Sequence, residues 1–277
     1  MLTKRRLKEL WKEMDFRPTK RLGQNFLIDK NIQDKISASL EITRADTCLE
    51  IGAGFGELTE CLARLGARVF AVEKDKKIIS ALKERIALPV NVTLLEGDFL
   101  DVEFKRIAGH GKVVVYGNIP YYITSPIIEK LIQNISHIKT IYLVVQAELA
   151  ERILARAGSR KIGRLSLYVQ YYTVPKRLFK IKSDSFFPVP VVDSVFLRLD
   201  VRDKKSVSVK NEALFFDVIK KAYSKRRKTV LNALSDQQSD KKSIKSILTA
   251  SKVNPEARAE ELSLEDFARI TNEFDNT

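Results

Sequence analysis

The stretch Glu50-Ile51-Gly52-Ala53-Gly54-Phe55-Gly56 follows the apolar pair Cys48-Leu49 and runs into an amphipathic segment that starts at Glu57. An apolar run of strand length, then closely spaced glycines, then helical periodicity marks a strand–turn–helix unit. Glycines at such a turn let a ligand approach the main chain closely. The helix that follows offers unpaired N–H groups at its start. The spacing is G-x-G-x-G, not the G-x-G-x-x-G of dinucleotide folds. By itself the cluster also fits an ordinary strand–helix turn; the segments on either side decide its weight.

Working outward, strands are expected at residues 48–51, 68–72, 90–95, 112–116 and 141–145. Helical patterns cover 57–65, 76–86 and 125–132, and another runs from the fifth strand to Arg156. Residues 165–172 and 194–199 read as closing strands. This alternation predicts an α/β fold with a mostly parallel sheet. Upstream, Leu7, Leu10, Trp11 and Met14 recur at helical spacing and predict a short helix docked on the protein's own body. A further helix is expected at 30–40. Beyond Arg202 the pattern changes: 204–210 is a polar linker, and helices follow at 212–223, 227–234, 242–250 and 264–272. Ser263 and Asp266 have the spacing of a capping box. The reading divides the chain into a catalytic domain, 1–203, with a helical extension at 1–45, and a small all-helical domain, 204–277.

Among 277 residues, 49 Lys and Arg outnumber 35 Asp and Glu, a net charge of +14. That surplus points to a polyanionic partner. Other classes drop out. No stretch approaches the ~20 apolar residues of a membrane span. Cys48 and Cys61 are the only cysteines and His110 and His137 the only histidines, so neither a disulfide framework nor a metal site is expected. Free thiols suit a reducing cytoplasm.

Three expected strands end in polar tips that should converge, because open α/β sheets bind ligands at the carboxyl ends of their strands. The first carries Gly52 and Gly54. The second ends in Val72-Glu73-Lys74-Asp75, where Glu73 can accept the hydroxyls of a ribose. The third ends in Glu96-Gly97-Asp98-Phe99, where Asp98 can receive an exocyclic amine beside the Phe99 ring. S-adenosylmethionine, a nucleoside with a cationic centre and no phosphate, fits this trio. The missing G-x-x-x-x-G-K-[ST] loop agrees.

The fourth strand ends in Gly117-Asn118-Ile119-Pro120-Tyr121-Tyr122, the expected chemical centre. An adenine amine is a poor nucleophile, since its lone pair is delocalised. The Asn118 side-chain oxygen and the Ile119 carbonyl are candidate acceptors that would free that lone pair. Pro120 stiffens the turn, and Tyr121 can stack on the base. In Ser185-Phe186-Phe187-Pro188 one ring is expected on the base and the other in the core, with Phe186 the base-side candidate.

Taken in order, Arg21-Leu22-Gly23-Gln24-Asn25-Phe26-Leu27, residues 50–56, Glu96-Gly97-Asp98, Asn118-Ile119-Pro120-Tyr121, residues 186–194 and Ser224-Lys225-Arg226-Arg227-Lys228 resemble the ribosomal RNA adenine N6,N6-dimethyltransferase family of the KsgA type. The resemblance spans residues 10–272. It implies a Rossmann-like S-adenosylmethionine-dependent methyltransferase fold. It implies that Asn25 and Leu27 close over the cofactor with Gly52 beneath, that Glu73 holds the ribose and Asp98 the adenine, and that Asn118 lies beside the methyl donor and the target amine. The implied substrate is a pair of adjacent adenines in the 3′-terminal hairpin loop of small-subunit rRNA, met within an immature ribosomal subunit by a monomeric, cytoplasmic enzyme. Two other readings stand: a DNA adenine methylase or an erythromycin-resistance type methylase of large-subunit rRNA, the latter sharing Asn-Ile-Pro-Tyr, and a non-catalytic RNA-binding assembly factor. Arg156, Arg160 and Lys161, with Lys225, Arg226, Arg227 and Lys228, are the candidate phosphate contacts.

Overall fold

The computed structural model describes residues 4–18, 23–86, 88–120, 123–225, 227–235 and 240–275. Within them the chain forms two compact units, 1–150 with 176–201, and 151–175 with 202–277.

The first unit is built on strands β2 (Thr47–Ile51), β3 (Arg68–Glu73), β4 (Val92–Glu96), β5 (Val113–Asn118) and β6 (Ile138–Gln146). Residues 48–51 are buried throughout, the pattern of a strand covered on both faces. Helices α3 (Thr59–Arg64), α4 (Lys76–Glu84), α5 (Phe104–Ala108) and α6 (Thr124–Gln133) supply the crossovers. The sheet is completed by β7 (Thr173–Ile181) and β9 (Ser194–Val201), in the order β4-β3-β2-β5-β6-β9-β7. Neighbours from β4 to β6 run parallel, and β9 runs antiparallel to β6. The chain leaves β2 toward β3 on one side and returns to β5 on the other. The crevice outside the ends of these strands is therefore the place where such sheets take ligands.

Helix α1 (Lys4–Glu13) docks on this unit as its periodicity predicted, with Leu7 and Leu10 fully buried. Trp11 stacks on Phe187 at 5.1 Å between ring centroids, and the ring cluster continues through Phe16, Phe26 and Phe55. Next to it, β1 (Phe26–Leu27) pairs antiparallel with β8 (Phe186–Phe187), placing Phe26 opposite Phe187 and Leu27 opposite Phe186. Helix α2 (Lys30–Ser39) starts at Asp29, whose carboxylate accepts from the N–H groups of Asn31 and Ile32.

Residues 165–172 correct the sequence reading. They form a helix, α8 (Arg164–Tyr172), not a closing strand. Their β-branched and aromatic content favours a strand by propensity, but packing overrides it. Leu167 and Tyr171, one turn apart, are buried in the core of the second unit with Phe215, Ile219 and Phe267. The Ser166 hydroxyl accepts from the Gly163 N–H and donates to the Arg152 carbonyl, securing the helix start. The strand that ends the sheet is β7, which the sequence reading passed over. Its exposed Lys176, Arg177 and Lys180 are polar in the way edge strands are protected.

Helix α7 (Ala147–Leu154) leads out of the first unit, and α8 joins α9 (Glu212–Ser224), α10 (Val230–Leu234), α11 (Lys241–Ala250) and α12 (Leu264–Phe274) in the second. The expected boundary at 203/204 counted residues 151–175 with the first domain; the structure packs them with the helices. The Ser263 capping box is formed: its hydroxyl accepts from the Asp266 N–H, and the Asp266 carboxylate accepts from the Ser263 N–H at 2.8 Å.

One buried polar contact fixes α3 against the end of β2. The Thr59 hydroxyl donates to Glu50 at 2.5 Å, and Glu50 is 1% exposed. Burial pushes the Glu50 carboxyl up to about 8; Thr59 pulls it down, while Glu57 and Glu73 add to the rise. An acid raised in the folded state is stabilising while protonated, and that stability is lost as pH climbs through the folded value. Wild-type protein should lose stability between about pH 5 and 8 from this group. Glu50→Gln, which keeps an acceptor for Thr59, should show a shallower decline. Urea denaturation at both pH values measures it, and parallel curves would remove Glu50 as the source.

Candidate functional site

The ends of β2, β3, β4 and β5 open into one cavity with about 1120 Å³ of space free of protein atoms, its mouth included. Residues 23–27 form one wall, and Ile123 and Ile127 of the α6 region another. All the expected cofactor residues, Asn25, Leu27, Gly52, Gly54, Glu73, Asp98, Phe99 and Asn118, line it.

Glu73 organises the floor. One oxygen accepts from the N–H groups of Lys74 and Asp75, both at 2.8 Å, and the other from the Gly54 N–H at 3.0 Å. A carboxylate offers about four acceptor directions, so three are taken and one is left for a ligand hydroxyl. Burial outweighs these three donors and raises its carboxyl above the usual value.

Asp98 accepts from the Leu100 N–H with one oxygen and from the Lys74 ammonium, at 2.5 Å, with the other. Partial burial pushes its carboxyl up, but the Lys74 and Leu100 donors prevail and hold it below the usual range. Lys74 thus sits on the acceptor expected for an adenine amine.

The glycines leave room for a ligand. Gly52 and Gly97 both have positive φ, and a Cβ at either would meet no protein atom within 4 Å, pointing into open space. Two buried polar atoms of the lining, Glu57 Oε1 and the Tyr116 hydroxyl, lack a partner among the described residues. The lining carries Glu50, Glu57, Glu73 and Asp98 against a single described cation, Lys74. A lining with so few described cations suits a phosphate-free nucleoside, and S-adenosylmethionine fits it.

At the end of β5 the Asn118 amide donates to the Asn25 carbonyl at 3.2 Å, tying the chemical centre to the wall at 23–27. Neither its oxygen nor the Ile119 carbonyl accepts from a described residue. Thr124 and Ile123 donate to the Pro120 carbonyl and hold the turn. Tyr121 lies outside the described residues, as do Arg226, Arg21 and Leu22. Phe186 does not line the cavity: it is 1% exposed, in the core, held by its pairing with Leu27. Phe187 is half-buried and stacked on Trp11, so it is not a wall either.

Sequence reasoning missed Glu57 and Tyr116 as lining residues. Glu57 read as an ordinary acidic start to a helix, and Tyr116 as one more strand residue. Only the packed structure, where Glu57 is 7% and Tyr116 2% exposed, shows both at the cavity.

The basic candidates Arg156, Arg160, Lys161, Lys225, Arg227 and Lys228 all belong to the second unit and are exposed. Lys161 pairs with Glu151 at 2.5 Å. Lys225 reaches the Asn232 and Ser235 carbonyls at the end of α10, which gives it a bracing role.

Comparison with known proteins agrees with this geometry. Residues 16–276 match the family described as Ribosomal RNA adenine dimethylase. The chain is 38% identical over 274 residues to the Ribosomal RNA small subunit methyltransferase A of Alkaliphilus oremlandii, covering 97% of this chain and 96% of that protein. A dimethyladenosine transferase from Plasmodium falciparum superposes with a TM-score of 0.76 at 29% identity, over 91% of this chain and 98% of that one. The 23S rRNA methyltransferase ErmE shares the fold, with a TM-score of 0.71 at 23% identity, over 90% and 99%. A match of this extent, on a chain whose strand tips form the acid-rich cavity described above, places the protein in the ribosomal RNA adenine dimethylase family of methyltransferases.

Proposed function

We propose that this enzyme uses S-adenosylmethionine to dimethylate the N6 amines of two adjacent adenines in the 3′-terminal hairpin loop of small-subunit rRNA, acting as a cytoplasmic monomer on an immature subunit. The lining carries the cofactor assignment: its one described cation, Lys74, is paired with Asp98, so no described side chain there is set to neutralise a phosphate, which suits a phosphate-free nucleoside. The small-subunit target is supported by the name of the curated relative. The likeness to the large-subunit enzyme supports only the fold.

The bound cofactor supplies an electrophilic methyl group. Gly52 leaves space beneath it, Glu73 has one acceptor direction for a ribose hydroxyl, and Asp98 takes the adenine amine once Lys74 moves aside. Asn118 and the Ile119 carbonyl accept the two N–H groups of the target amine and push its nitrogen toward tetrahedral geometry. Leu27, Ile51, Ile123 and Ile127 exclude water, so catalysis rests on alignment and desolvation. Tyr121 stacks on the base, which is splayed from a single-stranded loop. Arg156, Arg160, Arg227 and Lys228 track phosphates and set register.

Mapping dimethyladenosine in both rRNAs, with and without the gene, tests the target; marks missing from large-subunit rRNA alone would overturn it. Glu73→Ala and Asp98→Ala should each weaken cofactor binding by about 1.5–3 kcal/mol in calorimetric titration. Wild-type affinity in both would sink the cradle assignment. Asn118→Ala should slow single-turnover transfer at least about tenfold at saturating cofactor, roughly 1.4 kcal/mol in the barrier. An unchanged rate would show that its oxygen does not serve the amine.

In the second unit, Arg227→Ala with Lys228→Ala should flatten the salt dependence of RNA binding, by about 0.7–0.9 in slope for each phosphate no longer neutralised. Melting temperature should hold in this pair and fall in Lys225→Ala, which removes the brace on α10. A salt slope equal to wild type in the double variant would exclude that run from the RNA surface.

A further inference from the structure

Three buried carboxylates, Glu50, Glu57 and Glu73, surround the glycine turn, and they are not equivalent. Glu50 is bonded to Thr59, and Glu73 to three backbone N–H groups. Glu57 is 7% exposed, lines the cavity, and keeps one oxygen, Oε1, with no partner among the described residues. Its other oxygen lies on the glycine turn, where a Cβ at Gly54 would come within 2.9 Å of it. Gly54 thus makes the space in which this carboxylate sits. No described Lys or Arg forms an ion pair with Glu57, and Lys74, the described cation of the lining, is taken by Asp98.

We propose that Glu57 discriminates by charge between the cationic methyl donor and its neutral-sulfur product, its ionised form being favoured by the first and not by the second. The proposal rests on the S-adenosylmethionine reading above. Transfer of the methyl group takes one positive charge out of the ligand. A buried carboxylate beside that ligand feels the change strongly, because little solvent screens it. Burial pushes the Glu57 carboxyl up to about 7, the N–H groups of Glu57 and Phe55 pull it down, and Glu73 adds to the rise. Such a group changes protonation at neutral pH when a cation arrives. The titratable groups around it are Glu50 from β2, Glu73 from β3 and Tyr116 from β5, with Cys61 from α3 against its backbone carbonyl. Burial raises Tyr116 and Cys61, which therefore stay neutral, and none of the four is a cation. The consequence is product release aided by charge: once the methyl group has gone, Glu57 regains a proton and its hold on the ligand weakens.

The test is calorimetric titration of the full chain with S-adenosylmethionine and with S-adenosylhomocysteine from pH 6 to 8.5. At pH 6.5 the titrations are repeated in two buffers of different ionisation enthalpy. In wild type, the donor should displace a fraction of a proton at pH 6.5 that the product does not. The preference for donor over product should grow about tenfold across the range, one pKa unit of coupling. The α-amino groups of the ligands titrate in part of this range too, but they are common to every protein variant. Glu57→Gln should hold the preference constant within about twofold relative to that ligand background, by lowering donor affinity at high pH and sparing product affinity. Glu50→Gln should keep the pH dependence.

Equal proton release with both ligands in wild type would overturn the proposal without need of any variant. So would a pH dependence that survives in Glu57→Gln or vanishes in Glu50→Gln. If the donor does not bind wild type at all, it is the cofactor reading itself that fails.

Discussion

The carboxylate of Glu73 is the hinge-pin of the catalytic unit. By accepting from Gly54, Lys74 and Asp75 it ties the glycine turn after β2 to the end of β3 and the start of α4. Backbone N–H groups that would otherwise point unpaired into a cavity are gathered on a single anion. The cradle is thereby rigid where the ligand sits deepest, and the spare acceptor direction is defined before any ligand enters. Asp75 extends the same arrangement, capping α4 at Lys77 and Ile78 while receiving the Gln24 amide at 2.8 Å. Residues from three distant parts of the sequence so become one surface.

Much of this was legible in the sequence because strand tips obey a simple rule. Gly52, Glu73, Asp98 and Asn118 stand at the ends of successive parallel strands, and parallel strands bring their ends together without further information. What failed to show was whatever depends on packing. Residues 165–172 have strand composition but serve a helical core, so local propensity misled. Phe186 carries an aromatic ring beside a proline-rich loop, yet its pairing with Leu27 turns it inward. Glu57 looks like a solvated helix start; only a turn deep enough to bury it makes it a cavity residue. The division between units was half legible: the switch to helices near Arg202 shows as a change of pattern, whereas the earlier segment that joins them shows only in the packing of Leu167 and Tyr171.

The acid-rich cradle and the basic surplus of the whole chain answer two different ligands. A net charge of +14 draws a polyanion to the exterior. The cavity offers a phosphate little, since Lys74, the one described cation of its lining, is paired with Asp98. A basic exterior around so weakly cationic a lining lets a protein hold a long nucleic acid while keeping its centre for a phosphate-free nucleoside.

The strand order also constrains how the chain can assemble. In the sheet β9 lies between β6 and β7, yet between β6 and β7 in sequence the chain makes α7 and α8. During synthesis from the N-terminus, β6 emerges as an unsatisfied edge and stays one until residues 194–201 arrive to pair with it. The parallel half of the sheet, with its local crossovers, can form first; the antiparallel half must wait on pairing between residues about fifty apart in sequence, whose closure is slower. A nascent chain halted before Ser194 would hold the glycine turn and the acidic strand tips beside a bare row of β6 hydrogen-bonding groups, the kind of edge that recruits other chains.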